Sequence, residues 1–358
     1  MTELSHIERF VATVERRPVD RPCTWLGMPD PAAHRQLFDH FGVSDLPALI
    51  EALDDDIVPI ELPYHSPTAD AVYAALDFAQ QGRVPREHRT LNSPGFFEDR
   101  TDPSDVELFD WPDPAKYISP EECRTLVTQA PAERVRLGVI WSAHFQDACA
   151  AFGMENALMT LYTAPEMFRA VIDRIVAFYL QANEIFYSAT KGQLQAVLIG
   201  NDFGGQQGLM LAPDMIREFA LPGTRRLVAQ AKDYGLTVIH HSCGAIREII
   251  PDLIEIGVDV IHPIQALAKG MEPSALRRDF GERVAFCGGV DAQELLVRGS
   301  SEQVEEAVRR LRRIFPTGLI ISPSHEAILP DTPPRNIAAM FRAARSGEVL
   351  PCPTARQP

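Results

Sequence analysis

Short apolar runs alternate with longer stretches of helical spacing along most of the chain, most regularly in its second half. The runs AVLIGNDFG (196–204), LTVIHHSCG (236–244), VDVIHPIQ (258–265), RVAFCGGVD (283–291) and GLIISPSHE (318–326) each read as a strand. Between them, apolar positions recur at helical spacing, and several of these stretches end in glycine, a common helix stop. The first half supplies three more strand candidates, PCTWLGM (22–28), DDIVPIEL (55–62) and RVRLGVIWS (134–142). Residues 155–189 predict a helix-loop-helix broken at TAPE. The Pro-, Asp-, Ser- and Thr-rich stretch 63–116 predicts loops and a short hairpin covering one end, and the Pro-rich tail LPCPTARQP (350–358) predicts a frayed terminus.

Eight β-α units place the chain in the α/β class. They predict a (β/α)8 TIM barrel, a single domain over 1–358 with an N-terminal helix within 1–20. A doubly wound sheet is the alternative, but it usually carries a glycine-rich phosphate turn after its first strand, and none follows here.

A barrel of this kind keeps its chemistry at the C-terminal ends of the strands. Those ends are polar where the strand middles are not: Asn201 and Asp202 close the fourth, His241 and Cys243 the fifth, His262 and Gln265 the sixth, Cys287 and Asp291 the seventh, and Ser324, His325 and Glu326 the eighth. In HHSCG, strand alternation puts His241 and Cys243 on one face and His240 on the other. An imidazole and a thiolate so placed suit zinc, which accepts nitrogen and sulfur ligands and, with a third protein ligand, keeps a position open. His325 is the first candidate for that ligand, with Glu326 and Cys287 behind it. The plainer alternatives are a buried strand carrying a hydrogen-bonded histidine and an inert thiol, and a loop histidine at 325. A Cys243 nucleophile with His241 as base is disfavoured, since two neighbours on one strand leave the base poorly placed to take the thiol proton. Asp202 suits a general base, a substrate acceptor or a support for His241. Gly204, Gly205 and Gly208 lack phosphate-loop spacing and predict a flexible loop near the site.

With 358 residues, 46% of them hydrophobic, the chain can bury a sizeable core. A net charge of −15 without a Lys/Arg cluster argues against nucleic acid or an anionic membrane as partner. No apolar run approaches the roughly 20 residues of a membrane span, and the first residues lack the apolar core of a signal peptide, so a cytoplasmic protein is expected. Six scattered cysteines predict reduced thiols.

The chain resembles the uroporphyrinogen decarboxylase superfamily. The resemblance is carried by RRPVDRP (16–22), by the stretch from GNDFGGQQG through HHSCG to VDVIHPIQ, by FGERVAFCGGVDAQ and by PDTPPRNI (330–337). It implies a (β/α)8 barrel. True members that decarboxylate uroporphyrinogen carry arginines for the substrate carboxylates in a W-x-M-R-Q-A-G-R stretch; here the matching segment keeps Trp25 and Met28 but neither arginine. The chain is more similar to the zinc-dependent methyltransferases that work with corrinoid proteins, in which an H-x-C pair and a cysteine near the eighth strand bind zinc. His241 and Cys243 fall on the pair. The third position departs, with Glu326 there in an ungapped alignment and His325 there if one residue is inserted. Losing a thiolate would leave zinc a stronger Lewis acid.

The resemblance therefore implies Zn2+ on His241, Cys243 and His325 or Glu326. Methyl would pass between a small substrate and a corrinoid protein or thiol acceptor, with the corrinoid carried by a separate partner and the chain a homodimer. Asp202, as the catalytic residue, and Gln265 would position the substrate, and Trp25, Asp56 and His144 would line the pocket. The alternatives are a decarboxylase of a small carboxylic acid with Asp202 handling the proton, and a non-catalytic binding barrel.

Overall fold

The computed structural model describes residues 3–79 and 90–346. All eight predicted strands form: β1 (Cys23–Thr24), β2 (Ile57–Glu61), β3 (Val135–Trp141), β4 (Ala196–Gly200), β5 (Thr237–His241), β6 (Val260–Ile264), β7 (Ala285–Val290) and β8 (Leu319–Pro323). They make one parallel sheet in the order β1-β8-β7-β6-β5-β4-β3-β2, a nearly closed (β/α)8 barrel with helices between the strands. The predicted strands ran one to four residues too far at their C-terminal ends because their polar ends already belong to the loops.

The period-two pattern divides each strand between two cores. Ile239 of β5, Val260 of β6, Ala285 and Cys287 of β7 and Ile320 of β8 fill the barrel interior with Cys23 and Trp25. Their neighbours Val238, Ile261, Phe286 and Ile321 face the surrounding helices. Helix α1 (His6–Val14) starts in a capping box between Ser5 and Glu8 and inserts Phe10 into the interior cluster from below.

No backbone ladder joins β1 to β2 among the described residues. Two carboxylates close the gap instead. Asp56 accepts the Thr24 N–H at 2.8 Å and Asp55 accepts the Leu26 N–H at 2.7 Å. Asp56 is fully buried and also takes Arg9 at 2.7 Å and Arg21 at 2.8 Å. Arg9 in turn makes a two-pronged contact to Asp20 at 2.9 and 2.8 Å. The charges at this end are paired and hydrogen-bonded, the condition under which buried charge is tolerated.

The break expected at TAPE is present, between helices Met154–Thr163 and Pro165–Ala189. The described part of the loop-rich cover has isolated antiparallel bridges, Pro63 with Ala71 and Ala79 with Gly95, and short 3-10 helices, pinned by a cluster of Phe78, Phe97, Phe109 and Trp111, while residues 80–89 of the stretch expected to hold a hairpin lie outside the described residues. The tail expected to fray, with Cys352, lies outside the described residues. The other five cysteines are free thiols, and no described helix is long and apolar enough to cross a membrane.

Candidate metal centre

The site forms where β4, β5, β6 and β8 end. Parallel register sets Gly200, His241 and His262 side by side on β4, β5 and β6. Alternation turns His241 and His262 inward, on the faces of Ile239 and Val260, and their rings stand 5.1 Å apart. His240 takes the other face, as expected from the pattern, and stacks on Phe203 at 6.1 Å. Desolvation holds its pKa down to about 3, so it is a neutral packing residue.

His241 is the hub. Its Nε2 lies 3.4 Å from Cys243 Sγ and 3.2 Å from Asp202 Oδ1; its Nδ1 lies 3.1 Å from His262 Nδ1 and 3.3 Å from Glu326 Oε2. Trp141 supports the ring edge-on at 5.4 Å. The chain reaches that contact by way of two non-glycine residues in the left-handed region, Trp141 (φ +62°) and Ser142 (φ +54°), a costly conformation that clusters at functional sites.

Each neighbour of His241 is itself held. Asp202 Oδ1 accepts the Cys243 N–H at 2.8 Å. Gln265 donates from Nε2 to Cys243 Sγ at 3.1 Å and accepts the Gly244 N–H at 2.9 Å. Gly244 permits this turn, since its φ is +82° and a Cβ there would meet the Gly204 carbonyl at 2.4 Å. Glu326 is fixed through its backbone: its carbonyl accepts the Met28 N–H at 2.7 Å, next to a short parallel pairing of Met28–Pro29 with Ala327–Ile328. Gly27 allows that approach, because a Cβ at this residue would stand 2.3 Å from the Glu326 carbonyl oxygen.

The electrostatics follow from these contacts. Burial works against a charged His241, yet Asp202, Cys243 and Glu326 hold its pKa well above the ordinary value. Burial likewise opposes ionisation of Asp202 and Cys243, but His241 draws Asp202 down to about 2 and, with His325, lowers the Cys243 thiol. Burial and the His241 ring push His262 far below its usual range.

The sequence-derived candidates separate here. His241, Cys243, Asp202, Gln265, His325 and Glu326 come together at the mouth. Of the two residues proposed as third ligand, His325 interacts with the Cys243 thiol and accepts the Ala327 N–H at 3.1 Å, whereas Glu326 meets the opposite ring nitrogen of His241. Trp25 is fully buried in the interior with its ring 5.1 Å from His262. Asp56 is a correction: it precedes β2 and so lies at the closed end of the barrel, inside the arginine network. His144 is another. It is fully buried, its Nε2 3.0 Å from the Ala220 carbonyl and its Nδ1 3.2 Å from Asn201 Nδ2, and it serves the packing between loop and helix. Sequence reasoning assigned no site role to His262 or Trp141. The only signal for His262 was its polarity at a strand end, because the facing of two neighbouring strands depends on register.

Among the described residues two donor sets could hold a metal, Asp202–His241–Cys243 and His241–His262–Glu326, each with its ligand atoms within 4.8 Å of one another. Ligand atoms about 2.0–2.3 Å from a tetrahedral zinc stand about 3.3–3.7 Å apart, which the His241–Cys243 and His241–Asp202 spacings approach. Glu326 Oε2 is buried and, beyond its 3.3 Å approach to His241 Nδ1, makes no hydrogen bond, which leaves it able to accept a cation.

Comparison with known proteins agrees with this architecture. The uroporphyrinogen decarboxylase (URO-D) family model matches residues 81–347. Two relatives named uroporphyrinogen decarboxylase are similar in sequence. The protein of Acidiphilium cryptum is 28% identical over 52% of this chain and 49% of its own length, and that of Syntrophotalea carbinolica is 29% identical over 50% and 48%. The chain thus spans about half the length of the curated relatives it matches. A methyltransferase from Methanosarcina mazei has the same fold, with a TM-score of 0.67 and 14% identity over 96% of this chain and 98% of that one. With the family model covering most of its length, the chain belongs to the uroporphyrinogen decarboxylase family.

Proposed function

We propose that this barrel is a zinc-dependent methyltransferase, passing a methyl group between a small substrate and a corrinoid protein or thiol acceptor. The observation that carries the reading is Cys243, a thiol at the barrel mouth held 3.4 Å from His241 Nε2, gripped by Gln265 and lowered in pKa. In this reading His241 and Cys243 hold zinc, with Asp202 or His325 beside them. A bound zinc there supplies Lewis acidity that keeps an acceptor thiol ionised near neutral pH.

The chain's own residues then have defined tasks. Glu326, on the far nitrogen of His241, fixes the ring and its tautomer, the outer carboxylate partner common behind metal-bound histidines. Gln265 directs the Cys243 sulfur and anchors the loop at Gly244. Asp202 holds the Cys243 backbone and reaches the mouth as a carboxylate able to take a proton or orient a substrate hydroxyl or thiol. Trp141 covers the His241 ring edge-on, and Trp25 packs against His262 beside it. A corrinoid-carrying partner would dock over the mouth, where His325 is 42% exposed.

The second reading is decarboxylation of a small carboxylic acid, suggested by the names of the two curated relatives. Among the described residues, the polar groups meeting His241 and Cys243 are Asp202, Glu326, His262, His325 and Gln265, with no arginine or lysine among them. Two carboxylates are a poor cradle for an anionic substrate.

Metal analysis of purified protein tests the first reading: about one zinc per chain is expected, lost in His241→Ala and in Cys243→Ser together with demethylation of a methylated corrinoid. Zinc-free protein, or a His241→Ala variant that keeps both metal and activity, would sink it. An enzyme whose activity is untouched by Cys243→Ser would favour decarboxylation.

A further inference from the structure

The two edges of the His241 ring differ in a way that zinc at Cys243 does not use. On the Nε2 edge the protein satisfies its own groups: Asp202 Oδ1 accepts from the Cys243 N–H, Cys243 Sγ accepts from Gln265, and Nε2 has both as partners. On the Nδ1 edge it does not. Glu326 Oε2 is buried with no hydrogen bond beyond its 3.3 Å approach to His241 Nδ1, and His262, with no exposed surface, meets that nitrogen through its own Nδ1. When no proton sits on His241 Nδ1, its lone pair faces the Glu326 carboxylate at 3.3 Å and the His262 Nδ1 at 3.1 Å. Lone pairs converging in a dry interior are unfavourable unless a proton or a cation sits among them.

We propose that His241 Nδ1, His262 and Glu326 form a second cation seat, a two-histidine, one-carboxylate site for a divalent ion of the Mn2+ or Fe2+ class. This combination of imidazole and carboxylate ligands suits such ions, whereas a thiolate favours softer ones. The seat is preorganised by the barrel. Register aligns His262 with His241, and the Glu326 backbone is pinned against Gly27 and Met28. Trp25, packed 5.1 Å from the His262 ring, has its Nε1 buried and unpaired beside the seat. The seat shares His241 with the proposed zinc centre but needs neither Cys243 nor Asp202 as a ligand, so it goes beyond that reading. An ion in it leaves the Cys243 thiol free.

The test is Mn2+ titration of chelator-stripped full-length protein, followed by the loss of the free-ion EPR signal. The expected result is about one equivalent bound, with affinity falling at least about tenfold in Glu326→Gln and in His262→Asn and changing less than about twofold in Cys243→Ser. Glu326→Gln is nearly isosteric and decides the matter alone if His262→Asn does not fold. A wild-type protein that binds no stoichiometric Mn2+, so that a proton alone occupies the position, overturns the proposal. Equal loss in Cys243→Ser and Glu326→Gln overturns it too. Co2+ added to the same stripped protein separates the two readings: a thiolate-to-cobalt absorption band reports the Cys243 edge. Its absence defeats the zinc centre while the Mn2+ result stands on its own.

Discussion

The two ends of this barrel use the same residue types to opposite effect. At the closed end, Asp55, Asp56 and Asp20 meet Arg9, Arg21 and backbone N–H groups, and every charge has a partner. At the mouth, Asp202, Glu326, His241, His262 and Cys243 meet mostly one another, and Glu326 and His262 keep unpaired buried atoms. Satisfied polarity closes the sheet. Unsatisfied polarity is what a ligand can complete, so the mouth is where binding chemistry resides.

The comparison breaks first at Asp56. Its replacement by alanine removes the group shared by Arg9, Arg21 and the Thr24 N–H, leaving buried charge uncompensated, and should cost about 3–5 kcal/mol in chemical denaturation. Metal content of the folded fraction should be unchanged. If Asp56→Ala unfolds like wild type, the carboxylate clasp between β1 and β2 is not what closes the barrel.

At the mouth the sign is expected to differ. Gln265→Leu removes the donor to Cys243 Sγ and should weaken zinc about 10–100-fold, or about 1.4–2.7 kcal/mol of binding, with little change in the stability of metal-free protein. Equal zinc affinity in both proteins would reduce Gln265 to a loop anchor. Glu326→Leu replaces a buried unpaired carboxylate by an apolar side chain and should stabilise the metal-free protein by about 1 kcal/mol while abolishing Mn2+ binding. A clear loss of thermal stability without metal would show that the Glu326 carboxylate is already satisfied.

The contrast between the ends was only partly legible in the sequence. The strands were, because alternation and helical spacing are local signals, and the same period correctly set His241 apart from His240. Asp56 and His144 failed for different reasons. Asp56 flanks its strand on the wrong side, since a charge at the start of β2 looks like one at its end until the chain direction is followed. His144 follows the correct end of β3, but the left-handed turn at Trp141 and Ser142 carries Trp141 to His241 and sends His144 back toward Ala220. His262 needed the register between β5 and β6, which no single strand contains.

Asp55 sets the pH dependence of the closed end. Burial, reinforced by the Asp56 charge and opposed by the Leu26 N–H, raises its carboxyl to about 7, whereas an unfolded aspartate titrates near 3.9. Between about pH 4 and pH 7 the folded state keeps a proton that the unfolded chain gives up. Unfolding then releases a proton, so this group's contribution falls as pH rises through that window and stays low above it. Asp20 acts with the opposite sign in a lower window: burial opposes its ionisation, but Arg9 draws it down to about 2, so its contribution is present above about pH 4 and is lost below. The two are therefore separable by pH. Asp55→Asn cannot ionise and still offers a carbonyl to the Leu26 N–H, so its unfolding free energy should decline less than that of wild type between pH 5 and pH 8. Parallel curves for the two proteins over that range would mean that Asp55 is charged throughout. The closed end would then hold two adjacent buried carboxylates, both ionised, with Arg9, Arg21 and the Thr24 and Leu26 N–H groups to stabilise them.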